Sequence, residues 1–115
     1  MFRAQGDMES SVITDCHGGK GDLVCRLVLG ANDAQSELAF MHDDQLEPGA
    51  VIGEHIHESS EEVYLVIEGT GMMIVDGREY PAGPGDVSVC HSGHSHGLRN
   101  SADAPMRLIV VGMKL

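Results

Sequence analysis

Short apolar runs, each ended by glycine or by a polar cluster, set the pattern of this chain. Leu23 to Leu29, Ser36 to His42, Val63 to Ile67, Met72 to Val75, Val87 to Cys90, His96 to Arg99 and Met106 to Val111 each read as a strand. Asp76-Gly77 stands between Met72 to Val75 and the extended run Arg78-Glu79-Tyr80. Asp-Gly between two extended runs predicts a two-residue hairpin, because both turn positions need positive φ. Pro81-Ala82-Gly83-Pro84-Gly85-Asp86 is a turn cluster that no helix interior tolerates. Ser10 to Gly21, which closes on Gly18-Gly19-Lys20-Gly21, reads as loop. No long window spaces its apolar residues at i, i+3, i+4 and i+7, so no amphipathic helix is expected. Many short strands with turns between them predict an all-β sandwich or barrel. No internal repeat or linker divides the chain. The expected organisation is an N-terminal segment, residues 1–20, loose or exchanged with a neighbouring copy, and a barrel over residues 21–115.

Composition narrows the partners. The 115 residues carry 18 Asp and Glu against 7 Lys and Arg, a formal net charge of −11. Such a surface repels phosphate backbones and anionic lipids, which argues against nucleic-acid or membrane-surface binding. Aromatic residues are few (Phe2, Phe40, Tyr64, Tyr80, no Trp), which weakens any platform for stacked bases. The run Leu108 to Val111 is far too short to span a bilayer. The stretch from Met1 to Asp7 has no hydrophobic segment of signal length. Cys16, Cys25 and Cys90 cannot all pair within one chain, and none sits in a CxxC spacing. Free thiols and a cytoplasmic location are the resulting expectation.

Histidine changes the picture. Five of the 7 histidines fall in two groups, His55 and His57, then His91, His94 and His96. Residues i and i+2 of a strand share a face, so His55 and His57 aim two imidazoles at one point. Glu62 opens the next strand after a turn at Glu58-Ser59-Ser60, and Tyr64 and Val66 share its face. His96 lies on a distant strand that antiparallel pairing brings close. Three imidazoles and one carboxylate suit one divalent transition ion, with Mn, Fe, Ni and Zn all open. The alternative is a set of surface histidines on polar strands. The carrying strands are otherwise apolar, and each buried polar group without a partner costs about 1–3 kcal/mol. Four such groups would consume much of a stability of about 5–15 kcal/mol. A shared metal removes that cost.

Gly49, His55, His57, Glu62 and Gly69, with gaps of five, one, four and six residues, resemble the first motif of the cupin superfamily. Gly85, Gly93, His96 and Asn100 resemble the second, with His91 in place of the usual Pro. The resemblance implies a single-domain cupin jelly-roll β-barrel holding one metal per chain. It implies His55, His57, Glu62 and His96 as the ligands, with Glu61 the competing carboxylate. Chains of this size in the family imply a homodimer.

The other residues carry weaker signals. Gly69 and Gly85 read as turn positions, and Asn100 as a residue that binds its local backbone. Tyr64 shares the Glu62 face and is either a proton carrier or a barrel-lining ring with a backbone partner. His94 is a candidate acid or base, a fifth ligand or an exposed loop residue. His42 reads as a rim or surface group, with a place behind the ligands as the alternative. Arg26 reads as a solvated charge, Cys90 as a buried structural thiol, and Met72, Met73 and Met106 as core filler. These residues lead to a metal-dependent enzyme acting on a small organic molecule. Two versions stand open, an oxygenase or decarboxylase type and a non-redox isomerase, cyclase or lyase, with Tyr64 and His94 as proton movers. A non-catalytic module that binds a small ligand or senses it is the alternative, and a metal that only holds strands together is the third.

Overall fold

The computed structural model describes residues 1–115, with ten strands and three short 3-10 turns. The strands are β1 (Ser10–Thr14), β2 (Asp22–Gly30), β3 (Leu38–Leu46), β4 (Val51–Ile56), β5 (Ser60–Glu68), β6 (Gly71–Val75), β7 (Arg78–Ala82), β8 (Val87–Cys90), β9 (Ser95–Arg99) and β10 (Met106–Lys114). They form two antiparallel sheets, one in the order β1-β2-β3-β10-β5-β8 and the other in the order β4-β9-β6-β7. This is the all-β architecture that the strand pattern predicts and the jelly roll that the cupin resemblance implies.

Alternation along β5 and β10 places the core between the sheets. Met106, Leu108 and Val110 of β10 and Glu62, Tyr64 and Val66 of β5 face inward. Leu46, Ile52, Met73 and Leu98 complete the packing from the other strands. The inward residues line up in rows across the large sheet. One row runs Tyr64, Val110 and His42 and ends on the exposed Leu27; the next runs Val66, Leu108, Asp44 and Cys25. Met72 is partly buried and Met106 fully buried, in line with their reading as filler.

Several elements differ from the sequence expectation. Ser10–Thr14 is a strand, not loop, and pairs with Asp22 to Arg26 of β2. All five of its residues are exposed, so it carries no burial alternation to read. β3 runs four residues past His42, because Asp43 meets arginines of both neighbouring strands. Those charges imitate a loop in the sequence and are satisfied across the sheet. Pro81 and Ala82 belong to β7, the edge of the smaller sheet, where proline removes no needed donor. The Asp76-Gly77 hairpin has the positive φ values its sequence requires, 48° at Asp76 and 76° at Gly77.

Alternation breaks once on β4. Ile52 and Ile56 should share a face, yet Ile52 is buried and Ile56 is exposed. The register with β9 shifts between Ile52 and His55, a β-bulge. After the bulge His55 faces inward and pairs with His96. Asn100 closes the opposite end of the small sheet, next to the Val51–Arg99 pair. Its side-chain amide donates to the carbonyls of Leu46 at 3.0 Å and Ala104 at 2.9 Å, and its Oδ1 accepts from the Ala102 N–H at 3.1 Å.

Ahead of β1, the Leu27 N–H donates to the Glu9 carbonyl at 2.9 Å, and Arg3 ties the N-terminal residues to their own chain. The Arg3 guanidinium donates to both Asp33 oxygens at 2.9 and 3.1 Å and to the Val28 carbonyl at 2.8 Å. The hydrogen bond from Arg3, then that from the Gly30 N–H, hold the Asp33 carboxyl at about 2.

Asn100→Ala leaves two buried carbonyls and one N–H without their partner and should destabilise the fold by about 2–4 kcal/mol in urea melts. The Arg3–Asp33 tie has a pH signature. The folded pKa lies below the unfolded value of about 3.9, so its contribution is complete above that pH. It is lost as the pH falls toward about 2. Asp33→Asn should therefore speed amide exchange before Ser10 at neutral pH and match the wild type near pH 2.

Candidate metal centre

Three strands and one loop position bring four side chains together. His55 comes from β4, His57 from the residue after it, Glu62 from β5 and His96 from β9. The Nε2 atoms of the three histidines form a triangle with edges of 3.0, 3.1 and 3.2 Å. Glu62 faces one side of it, 3.4 Å from His57 and 3.3 Å from His96. The four donors form a cluster able to hold a metal ion.

Each ring is set by its second nitrogen or by stacking. The His55 Nδ1–H donates to the Gly53 carbonyl at 2.8 Å, which leaves Nε2 bare toward the cluster. Burial pushes the His55 pKa down to about 4, so the ring is neutral at physiological pH. Burial lowers His57 in the same direction. His57 Nδ1 lies 3.4 Å from the Ser60 hydroxyl. His96 is fully buried, its Nδ1 has no partner, and its ring stacks on Tyr64 at 4.3 Å. Burial alone would raise the Glu62 pKa. The hydrogen bond with His96 and the neighbouring imidazoles overcome it, and Glu62 stays below its ordinary range.

The donor set passes a spacing test. Two ligands each about 2.1 Å from one ion stand about 3.0 Å apart at right angles and about 3.4 Å apart in a tetrahedron. The nitrogen edges lie near the first figure and the Glu62 oxygens, 3.3 and 3.4 Å from the nitrogens, near the second, so all four donors stand at the spacing that one shared ion would need.

A cavity of about 110 Å³ adjoins the cluster through Glu62 and Tyr64. Leu23, Ile52, Phe40 and Val110 give it apolar walls. Tyr64 is almost fully buried, and burial and the Glu62 charge push its pKa well above that of a free phenol. Cys25, His42 and Asp44 form the far wall. Burial pushes Asp44 up to about 7 and Cys25 up to about 12, so the Cys25 thiol is unreactive at neutral pH.

The remaining candidates lie elsewhere. His94 is 54% exposed and its Nδ1–H donates to Asp76 at 2.7 Å, away from the cluster. His91 pairs with Glu61 on the outer surface, which removes Glu61 from competition with Glu62. Arg26 points outward to Asp43 at 3.4 Å. Cys90 is fully buried, and all three cysteines are free. His42 departs from its rim reading: it is half-buried inside the barrel beside Cys25 and stacks on Phe40.

Sequence reasoning missed His17. Its ring stacks on His55 with centroids 3.6 Å apart, and it stands at the cavity wall with its outer side open to water. Two glycines allow the approach. A Cβ on Gly53 would lie 2.1 Å from the His17 carbonyl, and one on Gly19 would lie 1.9 Å from the Val51 carbonyl. The glycine-rich run after His17 was the available signal, but only contact with β4 shows its purpose.

A family model for the cupin domain matches residues 43–112, more than half of the chain, and the chain belongs to the cupin family. It is 28% identical over 99 residues to an oxalate-binding protein of Thermotoga maritima, covering 86% of this chain and 82% of that one. A crystal structure described as a predicted oxalate decarboxylase from Thermotoga maritima matches with a TM-score of 0.94 at 26% identity over 100% of both chains. A cupin-superfamily sugar phosphate isomerase from Silicibacter pomeroyi matches with a TM-score of 0.77 at 26% identity, over 100% of this chain and 76% of that one.

Saturating divalent ion should raise Tm. At a free concentration of about 100 times Kd the gain is about 2.7 kcal/mol, or about 10 °C or more for a domain of this size. Glu62→Gln should lose most of that gain in scanning calorimetry.

Proposed function

We propose that this cupin holds one divalent transition ion on His55, His57, Glu62 and His96 and uses it to take up a small dicarboxylate of the oxalate class. The observation that carries the reading is the nitrogen triangle, 3.0–3.2 Å on edge, with Glu62 shared between it and the cavity. Three imidazoles and one carboxylate suit Mn, Fe, Ni or Zn. An ion held there would keep coordination positions free for the oxygens of a small ligand.

Size and charge support the same class. The cavity beside Glu62, about 110 Å³, is small and suits a compact ligand. Three imidazoles and one carboxylate would leave a bound divalent ion with a net positive charge, which attracts an anion into an otherwise acidic protein. The Thermotoga maritima matches, a protein named for oxalate binding and a structure described as a predicted oxalate decarboxylase, support this choice over the isomerase.

A bound ion supplies Lewis-acid polarisation of a carboxylate oxygen. The chain's own groups do the rest. His55 and His57 stay neutral and keep their lone pairs on the cluster. Tyr64 stays protonated, so its hydroxyl donates a hydrogen bond in the cavity and does not act as a base. Leu23, Ile52 and Val110 exclude water around the ligand.

Turnover of the same ligand is the second reading, favoured by the likeness to the structure described as a predicted oxalate decarboxylase. In it Tyr64 faces the ligand, and His94, paired with Asp76, takes no part. Homodimer assembly is a further proposal, supported by the open β1 edge and the exposed Val12, Ile13 and Leu27.

Titration calorimetry with oxalate tests the main reading. Metal-loaded protein should bind at least tenfold more tightly than the stripped protein or the His96→Ala variant. Equal affinity in loaded and stripped protein would falsify the proposal. Carbon dioxide release on long incubation separates turnover from uptake alone.

A further inference from the structure

The far wall of the cavity holds a second set of donors, distinct from the first. Cys25 on β2 stands directly opposite Asp44 on β3, and His42 lies two residues before Asp44 on the same face. Cys25 Sγ is 3.3 Å from His42 Nδ1, which is 3.8 Å from Asp44 Oδ2. The three donor atoms all lie within 4.8 Å of one another. His42 and Tyr64 share a row, with Val110 between them, so the backbones under the two clusters are two strand spacings apart, about 10 Å.

Asp44 needs an explanation that its protein neighbours do not supply. It is 3% exposed, and its Oδ1 has no hydrogen-bond partner. The nearby cations are engaged elsewhere. Arg107 donates to both oxygens of Asp43 at 2.9 Å, and Arg26 reaches Asp43 at 3.4 Å, on the outward face. A buried carboxylate with a free oxygen and no cation is the kind of group that coordinates a metal.

We propose that Cys25, His42 and Asp44 form a second metal site, for a zinc-class divalent ion, with one position open to the cavity. Thiolate, imidazole and carboxylate are the three donor types that zinc takes, and three protein ligands plus one open position is its reactive arrangement. A tetrahedral zinc shell places sulfur and nitrogen about 3.5 Å apart and nitrogen and oxygen about 3.3 Å apart. The distances of 3.3 and 3.8 Å lie within half an ångström of these. The thiolate and the carboxylate together balance the charge of a divalent ion. The histidine-rich cluster carries one negative charge and no sulfur, so the two sites differ in softness and in net charge. Both face one small cavity, which gives a dicarboxylate a cation at each wall. The second site does not depend on oxalate being the ligand.

Sulfur is the distinguishing mark in the test. Full-length protein stripped of metal and titrated with Co(II) should take up two ions per chain. One of them should bring the sulfur-to-cobalt charge-transfer band of a thiolate ligand. Cys25→Ser should lose that band and one ion, and Asp44→Asn should weaken uptake of the same ion at least tenfold. Cys16→Ser, at another position on the cavity wall, should keep both. Glu62→Gln should lose the other ion and retain the band, which separates failure of this proposal from failure of the first site. If Cys25→Ser does not fold, zinc-edge X-ray absorption of the wild type gives the answer through a sulfur neighbour at about 2.3 Å. One ion per chain with no sulfur ligand, or a band that survives Cys25→Ser and disappears in Cys16→Ser, overturns the proposal.

Discussion

Strict alternation along β4 would put Ile52 and Ile56 inside and the two histidines outside. The bulge between Ile52 and His55 exchanges those faces midway along the strand. Ile52 stays in the core, Ile56 turns to solvent, and His55 meets His96 across the ladder. Everything else at the site follows from that one extra residue. Without it, three ring nitrogens could not stand 3.0–3.2 Å apart inside an apolar barrel. Gly53 lies in the bulge, where any side chain would strike the His17 carbonyl. The irregular strand, the covering loop and the stacked His17 ring therefore form one mechanical unit.

The rest of the barrel gives that unit a rigid frame. β5 and β10 alternate without interruption through the core, and Glu62 takes the last inward position before the turn. Tyr64, one step further in, supports His96 from below by stacking instead of by a hydrogen bond. Asn100 holds the opposite end by binding backbone from β3 and from its own loop. The site depends on backbone placed by contacts of long sequence separation, which suits donors that must not relax apart.

Charge is sorted by face. Asp43 points out and is held below its ordinary pKa by Arg107, then by Arg26. Asp44 points in, has no arginine, and is pushed up to about 7 by burial. One residue of offset in a strand decides between a satisfied surface ion pair and a buried carboxylate in search of a cation. The same rule separates Glu61, paired with His91 outside, from Glu62, facing the imidazoles inside.

The amino-acid sequence by itself determined the class of fold and the four donors of the first cluster. Glycine punctuation and apolar runs are local signals, and the spacing of His55, His57, Glu62 and His96 survives folding because it is a property of the chain. It did not show β1, whose five residues are all exposed and whose strand exists only through pairing with β2. Nor did it show His17 over His55, or Cys25 beside His42 and Asp44, because those contacts join segments by strand pairing and loop approach. Parity along one strand tells which side chains share a face. Which face is the inside was decided by the bulge in β4 and by the partner strands, and that is information no single segment carries.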